Sequence, residues 1–252
     1  MFEAKEIKHI IAVSSGKGGV GKSTVSANLA VALSREGYKT GLLDVDIYGP
    51  SIPFLFGCEA IRPEMEGDFI LPVHRFGVDL MSIGFFLLPN QPAIWRGPMA
   101  TNAVKQLFTE TAWGALDYLI IDMPPGTGDV ALTLVQNIPL TGAIIVTTPQ
   151  NVALHDVRKT VAMFQNSDIN IPILGVVENM SWFTPQELPE NKYYIFGKDG
   201  GKNLATELGV SLLAQIPLIQ PVAESGDKGT PAATYGEQPV AQYFMNLANN
   251  II

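Results

Sequence analysis

The run Ser15-Gly16-Lys17-Gly18-Gly19-Val20-Gly21-Lys22-Ser23-Thr24 follows a β-branched apolar stretch, Ile10-Ile11-Ala12-Val13, and opens an alanine- and leucine-rich segment. A strand, a glycine-rich loop and a helix in that order confine the chain to α/β folds that bind a nucleoside triphosphate, ATP or GTP. Glycines let the backbone curl so that successive N–H groups face the β- and γ-phosphates, and the helix beginning near Lys22 adds its positive dipole end. Gly16, Gly18, Gly19, Val20, Gly21 and Thr24 form the cradle. Lys22 is expected to reach the phosphates, and the Ser23 hydroxyl to sit on Mg²⁺.

The rest of the chain alternates short buried-strand patterns with helical stretches, as a doubly wound, mostly parallel sheet flanked by helices requires. A helix is expected from Lys22 to Glu36, ended by Gly37. Further strands are read at Thr40–Leu43, Tyr118–Ile121, Gly142–Thr147, Ile173–Val177 and Leu212–Ile216, the last stopped by Pro217. A peripheral hairpin is expected between Asp68 and Ser82, a surface loop from Phe183 to Tyr193, and a helix over 238–248. No linker divides the sequence, so residues 1–252 are expected to form one domain.

In open α/β sheets ligands collect outside the carboxyl ends of strands, and the acidic candidates all lie there. Asp122, ending the run Leu119–Ile121, is expected to hold Mg²⁺ through its water shell. Asp44 and Asp46 are two apart in extended chain and face one way. Asp44 is assigned to the Mg²⁺ shell and Asp46 to the attacking water, with a turn role before Gly49-Pro50 as the alternative for Asp46. The glycines of Pro124-Pro125-Gly126-Thr127-Gly128-Asp129, Gly126 among the nucleotide-binding residues, are expected to free a backbone N–H to approach the γ-phosphate, making a nucleotide switch, with a purely structural turn as the alternative. Asn179 is a candidate for the base-binding edge or for a turn cap.

The formal charge is −8, with a pI of about 4.9. The basic residues do not cluster, which argues against nucleic-acid binding. No apolar run is long enough to span a bilayer, the helix over 238–248 carries no cations on its polar side, and no secretory signal is visible, so no membrane contact is expected. One cysteine, Cys58, excludes an internal disulfide and fits a cytoplasmic location. Cys58 reads as a buried or loop thiol, and His9, His74 and His155 lack ligand spacing.

Lys17, directly after the first glycine, narrows the class. The sequence Gly-Lys-Gly-Gly-Val-Gly-Lys-Ser-Thr resembles the deviant phosphate-loop ATPases, which include septum-site and chromosome-partition ATPases, nitrogenase iron protein and the Mrp-type iron-sulfur cluster carriers. The resemblance implies that Lys17 crosses a dimer interface to the partner's nucleotide, making Lys17, Lys22 and Asp46 the catalytic set. Asp44-Val-Asp-Ile-Tyr-Gly-Pro-Ser51, Trp95-Arg-Gly-Pro-Met99, Asp122-Met-Pro-Pro-Gly-Thr-Gly-Asp129, Glu178-Asn-Met-Ser181 and Ile195-Phe-Gly-Lys-Asp-Gly-Gly201 together look like the Mrp-type ATPases over nearly the whole chain. That likeness implies a homodimeric, Mg²⁺-dependent ATPase acting in iron-sulfur cluster assembly or transfer, with scaffold or client proteins as partners.

At one point the chain departs from that pattern. Where the family has Cys-Pro-x-Cys after Met180-Ser181-Trp182-Phe183, this sequence has Thr184-Pro185-Gln186-Glu187. Clusters favour thiolates, so the usual cluster site is expected to be absent. A nucleotide-switched adaptor with no cluster of its own is the alternative this favours. A partition- or septum-type ATPase is disfavoured by the acidity. Many family members also carry a small domain ahead of the ATPase region; here the phosphate loop comes close after Met1, and either a form without that domain or a trimmed chain is expected.

Overall fold

The phosphate-loop strand sits in the middle of the sheet. The computed structural model describes residues 6–87, 97–185 and 187–252. In chain order the elements are β1 (Ile7–Ser15), α1 (Lys22–Arg35), β2 (Thr40–Asp44), α2 (Ile52–Leu55), β3 (Met65–Glu66), β4 (Phe69–Ile70), β5 (Val73–Arg75), β6 (Val78–Ser82) and α3 (Gly97–Thr109). Then come β7 (Leu116–Asp122), α4 (Asp129–Asn137), β8 (Gly142–Thr147), α5 (Asn151–Phe164), β9 (Ile173–Phe183), α6 (Gly200–Leu208), β10 (Ser211–Leu218), α7 (Gln220–Asp227) and α8 (Pro239–Asn249). The motif residues Trp95 and Arg96 lie outside the described residues.

The eight-stranded sheet has the order β10-β9-β8-β1-β7-β2-β6-β5. Every pairing is parallel except β5 with β6. Because helices cover the central strands, β2 and β8 are buried along their full length and carry no polar-out alternation. Leu119, Ile120 and Ile121 of β7 are wholly buried, each side chain contributing about 1.5–3 kcal/mol of transfer free energy. Register brings the carboxyl ends together: Asp122 lies opposite Val13 on one side and Asp44 on the other.

Three expectations needed tertiary correction. The hairpin is real, but β6 joins the main sheet beside β2, so it extends the sheet. β9 does not stop at Val177. It continues to Phe183 because β10 goes on pairing with it, through register shifts and a left-handed Met180 (φ 55°). Pro217 likewise fails to end β10, since an edge strand can leave one N–H side unpaired. The loop after Phe183 is closed at its base by reciprocal backbone hydrogen bonds between Phe183 and Tyr193, 2.8 Å each, and by the Lys192 ammonium 4.0 Å from the Trp182 ring centre.

Candidate active site

The loop between β1 and α1 is shaped by two glycines that L-residues replace poorly, Gly19 (φ 81°) and Gly21 (φ 82°). A Cβ on Gly16 would lie 2.3 Å from the Val157 nitrogen, so the loop also packs closely on α5. Gly18 and Gly19 face open space, with nothing within 4 Å of a built Cβ. They border a cavity of about 310 Å³ whose walls include Lys17, Lys22, Ser23, Thr24 and Asp46.

At its floor Lys22 is 6% exposed, and its ammonium lies 2.8 Å from Asp122 Oδ1 and 3.7 Å from Asp46 Oδ2. Burial opposes the charge, but Asp122, Asp46 and Asp44 outweigh it and hold the Lys22 pKa above its ordinary value. Asp122 also accepts hydrogen bonds from Ser23 Oγ and Ser26 Oγ, 2.6 Å each. A hydroxyl and a carboxylate beside a phosphate-facing loop are hard oxygen donors, the set that suits Mg²⁺. The residues present therefore fit Mg²⁺ and a nucleotide triphosphate.

Asp44 ends β2 opposite Asp122. It is wholly buried, and its oxygens accept from the N–H of Asp46 (3.1 Å), the N–H of Ile52 (3.2 Å) and Ser82 Oγ (2.9 Å). In this structure Asp44 braces the loop that carries Asp46. Burial first, and then neighbouring Asp122, push its pKa up to about 7. Asp46 borders the cavity, its pKa also raised by burial, while its carboxylate accepts from the N–H of Tyr48 at 3.3 Å. The turn role and the site position thus coexist.

Gly126 adopts φ 78°, but its N–H donates to the Ser15 carbonyl at 2.8 Å and is not free for a phosphate. Asn179 is likewise engaged: its Nδ2 donates to the Val20 carbonyl at 2.8 Å, beneath the loop. Its Oδ1 and its second Nδ2 proton are what is left for a base. Lys17 points toward Gln150 Oε1, 3.5 Å away on its own chain. Sequence reasoning missed Ser26, Ser82 and Gln150. Ser26 was findable, since i+4 from Lys22 places both on one helix face. Ser82 comes from a distant strand and left no local signal.

The cluster loop does not fit a thiolate-bound cluster. Thr184 and Glu187 lie on the wall of a cleft of about 900 Å³ shared with Trp182, Pro217, Leu218 and Tyr243. Cys58, the sole cysteine, is buried after α2, and burial raises its pKa to about 11. No group of three or more His, Cys, Asp or Glu side chains poised for a metal occurs among the described residues.

A family model described as ParA: NUBPL iron-transfer P-loop NTPase matches residues 6–252. The iron-sulfur cluster carrier protein of Aquifex aeolicus (strain VF5) is 52% identical over 98% of this chain, which spans 69% of that relative's length. Among solved structures, a nucleotide-binding protein from Archaeoglobus fulgidus in complex with ADP aligns at TM-score 0.81 and 37% identity, over 95% of this chain and 92% of that one. The septum site-determining protein MinD of Pyrococcus horikoshii OT3, complexed with Mg-ADP, aligns at TM-score 0.69 and 25% identity, over 97% and 96%.

Proposed function

The chain belongs to the ParA/NUBPL iron-transfer P-loop NTPase family, and from that premise we propose that it is a homodimeric, Mg²⁺-dependent ATPase acting in iron-sulfur cluster assembly or transfer. The observation that carries the reading is the constellation of Lys22, Ser23 and Asp122 at the floor of the phosphate-loop cavity. Lys22 and the loop amides bind the phosphates. Ser23 and Asp122 would hold Mg²⁺, whose charge offsets that of the β- and γ-phosphates when bound. Asp46 orients the attacking water, on a loop that Asp44 keeps in place. Lys17 leaves Gln150 and reaches the nucleotide of the second subunit, where a cation arriving in trans is worth about 10³–10⁵ in kcat if it acts as an arginine finger does. Catalysis is then mostly positioning and charge stabilisation.

The cluster is cargo in this scheme, and the chain does not hold it on a thiol pair of its own. The same observation supports a second reading, a nucleotide-switched adaptor that recruits a scaffold or client protein without touching the cluster. Titration with ATP and Mg²⁺ tests the shared premise: the wild type should bind and slowly hydrolyse ATP, and Lys22→Ala should do neither. Retained ATP binding by Lys22→Ala would remove the phosphate-loop assignment. Crosslinking with and without a non-hydrolysable ATP analogue tests the dimer.

A further inference from the structure

Asp122 carries three hydrogen-bond donors, and two of them have other work in the reaction proposed above. Lys22, 2.8 Å away, is the phosphate cation, and Ser23, 2.6 Å away, lends its oxygen to the metal. The third donor, Ser26 Oγ, lies 2.6 Å from Asp122 Oδ1 and has no role of its own in the reaction proposed above. We propose that Ser26 is the positioning residue of the magnesium site, holding the Asp122 carboxylate in one orientation whichever way Lys22 and Ser23 turn. The inference rests on the reading of Asp122 as the Mg²⁺ carboxylate.

Ser26 is suited to this by its place in the fold. It lies one turn inside α1, wholly buried, beyond the loop whose glycines allow movement. Its hydroxyl has one proton and two acceptors within reach, Asp122 Oδ1 at 2.6 Å and the Lys22 carbonyl at 3.0 Å. The shorter contact, to a charged oxygen, takes the proton, because charge-assisted hydrogen bonds are roughly twice as strong as neutral ones. A serine inside a helix otherwise turns its hydroxyl back to the i−4 carbonyl, which brings no benefit to a distant strand. Here the hydroxyl ties α1 to the end of β7. Once Lys22 turns to the phosphates, Oδ1 of a wholly buried carboxylate keeps Ser26 as its partner, and a carboxylate fixed at one oxygen presents the other to the metal in a constant direction.

A merely structural role makes the opposite forecast from this one. Alanine is the better helix former, so Ser26→Ala should leave α1 intact or slightly firmer. Loss of a partner that orients a metal carboxylate typically costs 10–100-fold in metal affinity. The test is binding of a fluorescent ADP analogue to the whole chain, titrated with Mg²⁺ and repeated in EDTA. For Ser26→Ala the Mg²⁺ midpoint should rise about tenfold while affinity in EDTA stays within about twofold of wild type. Ser26→Cys, with a weak S–H donor of similar size, should fall between the two and carries the test if the alanine variant does not fold. A midpoint within about twofold of wild type, or an equal loss in EDTA, would overturn the assignment. Wild-type binding that ignores Mg²⁺ would bring down the magnesium reading itself, and the wild-type arm alone reveals it.

Discussion

The Lys22 ammonium forms a buried ion pair with Asp122, 2.8 Å from Oδ1, so the cation expected to meet phosphate is held by a carboxylate in this structure. Breaking a buried pair by removing one partner costs roughly 3–5 kcal/mol, because the other charge stays behind. Here it leaves Asp44, Asp46 and Asp122 without a cation that interacts with all three. Ligand-free Lys22→Ala should therefore melt well below wild type. An unchanged melting temperature would mean that the pair contributes nothing.

Lys17 and Asp46 allow a test in trans. Lys17→Ala should bind ATP normally but lose most hydrolysis, since its contact is made across the dimer and mainly in the transition state. Asp46→Ala should also be inactive. Mixed dimers contain one site with both residues intact, so activity should return to about a quarter of wild type under random mixing. Dead mixtures in which heterodimers demonstrably form would exclude the contact across the interface.

Asn179 should act through the loop it supports. Removing its hydrogen bond to the Val20 carbonyl leaves a buried acceptor unpaired, at a cost of about 1–3 kcal/mol. Asn179→Ala should weaken ADP and GDP alike, by roughly tenfold, because the loss falls on phosphate binding. A loss confined to adenine nucleotides would return Asn179 to the base-binding edge.

The aspartates set a pH dependence. Asp44 has a folded pKa of about 7 against an ordinary 3.8, so between those values the folded chain binds the extra proton. Stability contributed by the protonated form is thus full below about pH 4 and is lost as pH rises through 7. In ligand-free protein the melting temperature should fall from pH 5 to 7.5, and Asp44→Asn should flatten that fall. Asp46, also raised, leaves a residual slope. A slope unchanged in the variant would acquit Asp44.

The cluster forecast combines two sites. Cys58 is buried and its thiol titrates near 11, so maleimide should label the folded chain far more slowly than the urea-unfolded one at pH 8. Anaerobic reconstitution with iron and sulfide should leave no stoichiometric cluster on the unmodified chain, since a dimer offers two thiolates where common clusters need four. Thr184→Cys with Glu187→Cys should gain one. Iron and sulfide that survive desalting on the unmodified chain, and vanish with Cys58→Ser, would reverse this account of both places.

The sequence by itself determined the phosphate loop, the parallel α/β class and the absence of a thiol pair, because each is written in consecutive residues: glycines beside Lys22, apolar runs ending in acids, and Thr184 and Glu187 where thiolates would stand. Tertiary structure decided how the polar groups share their hydrogen bonds. Asp44 was legible as a strand-end acid, but its ties to Ile52 and Ser82 depend on loops and strands that meet only after folding. Asn179 and Gly126 were legible as loop residues, yet their N–H groups turn to the carbonyls of Val20 and Ser15. A donor's partner is set by distances of about 3 Å across elements far apart in sequence, and local pattern carries no record of them. Hydrophobic periodicity names the strands, whereas the register between strands places Asp44 beside Asp122 and so assembles the site.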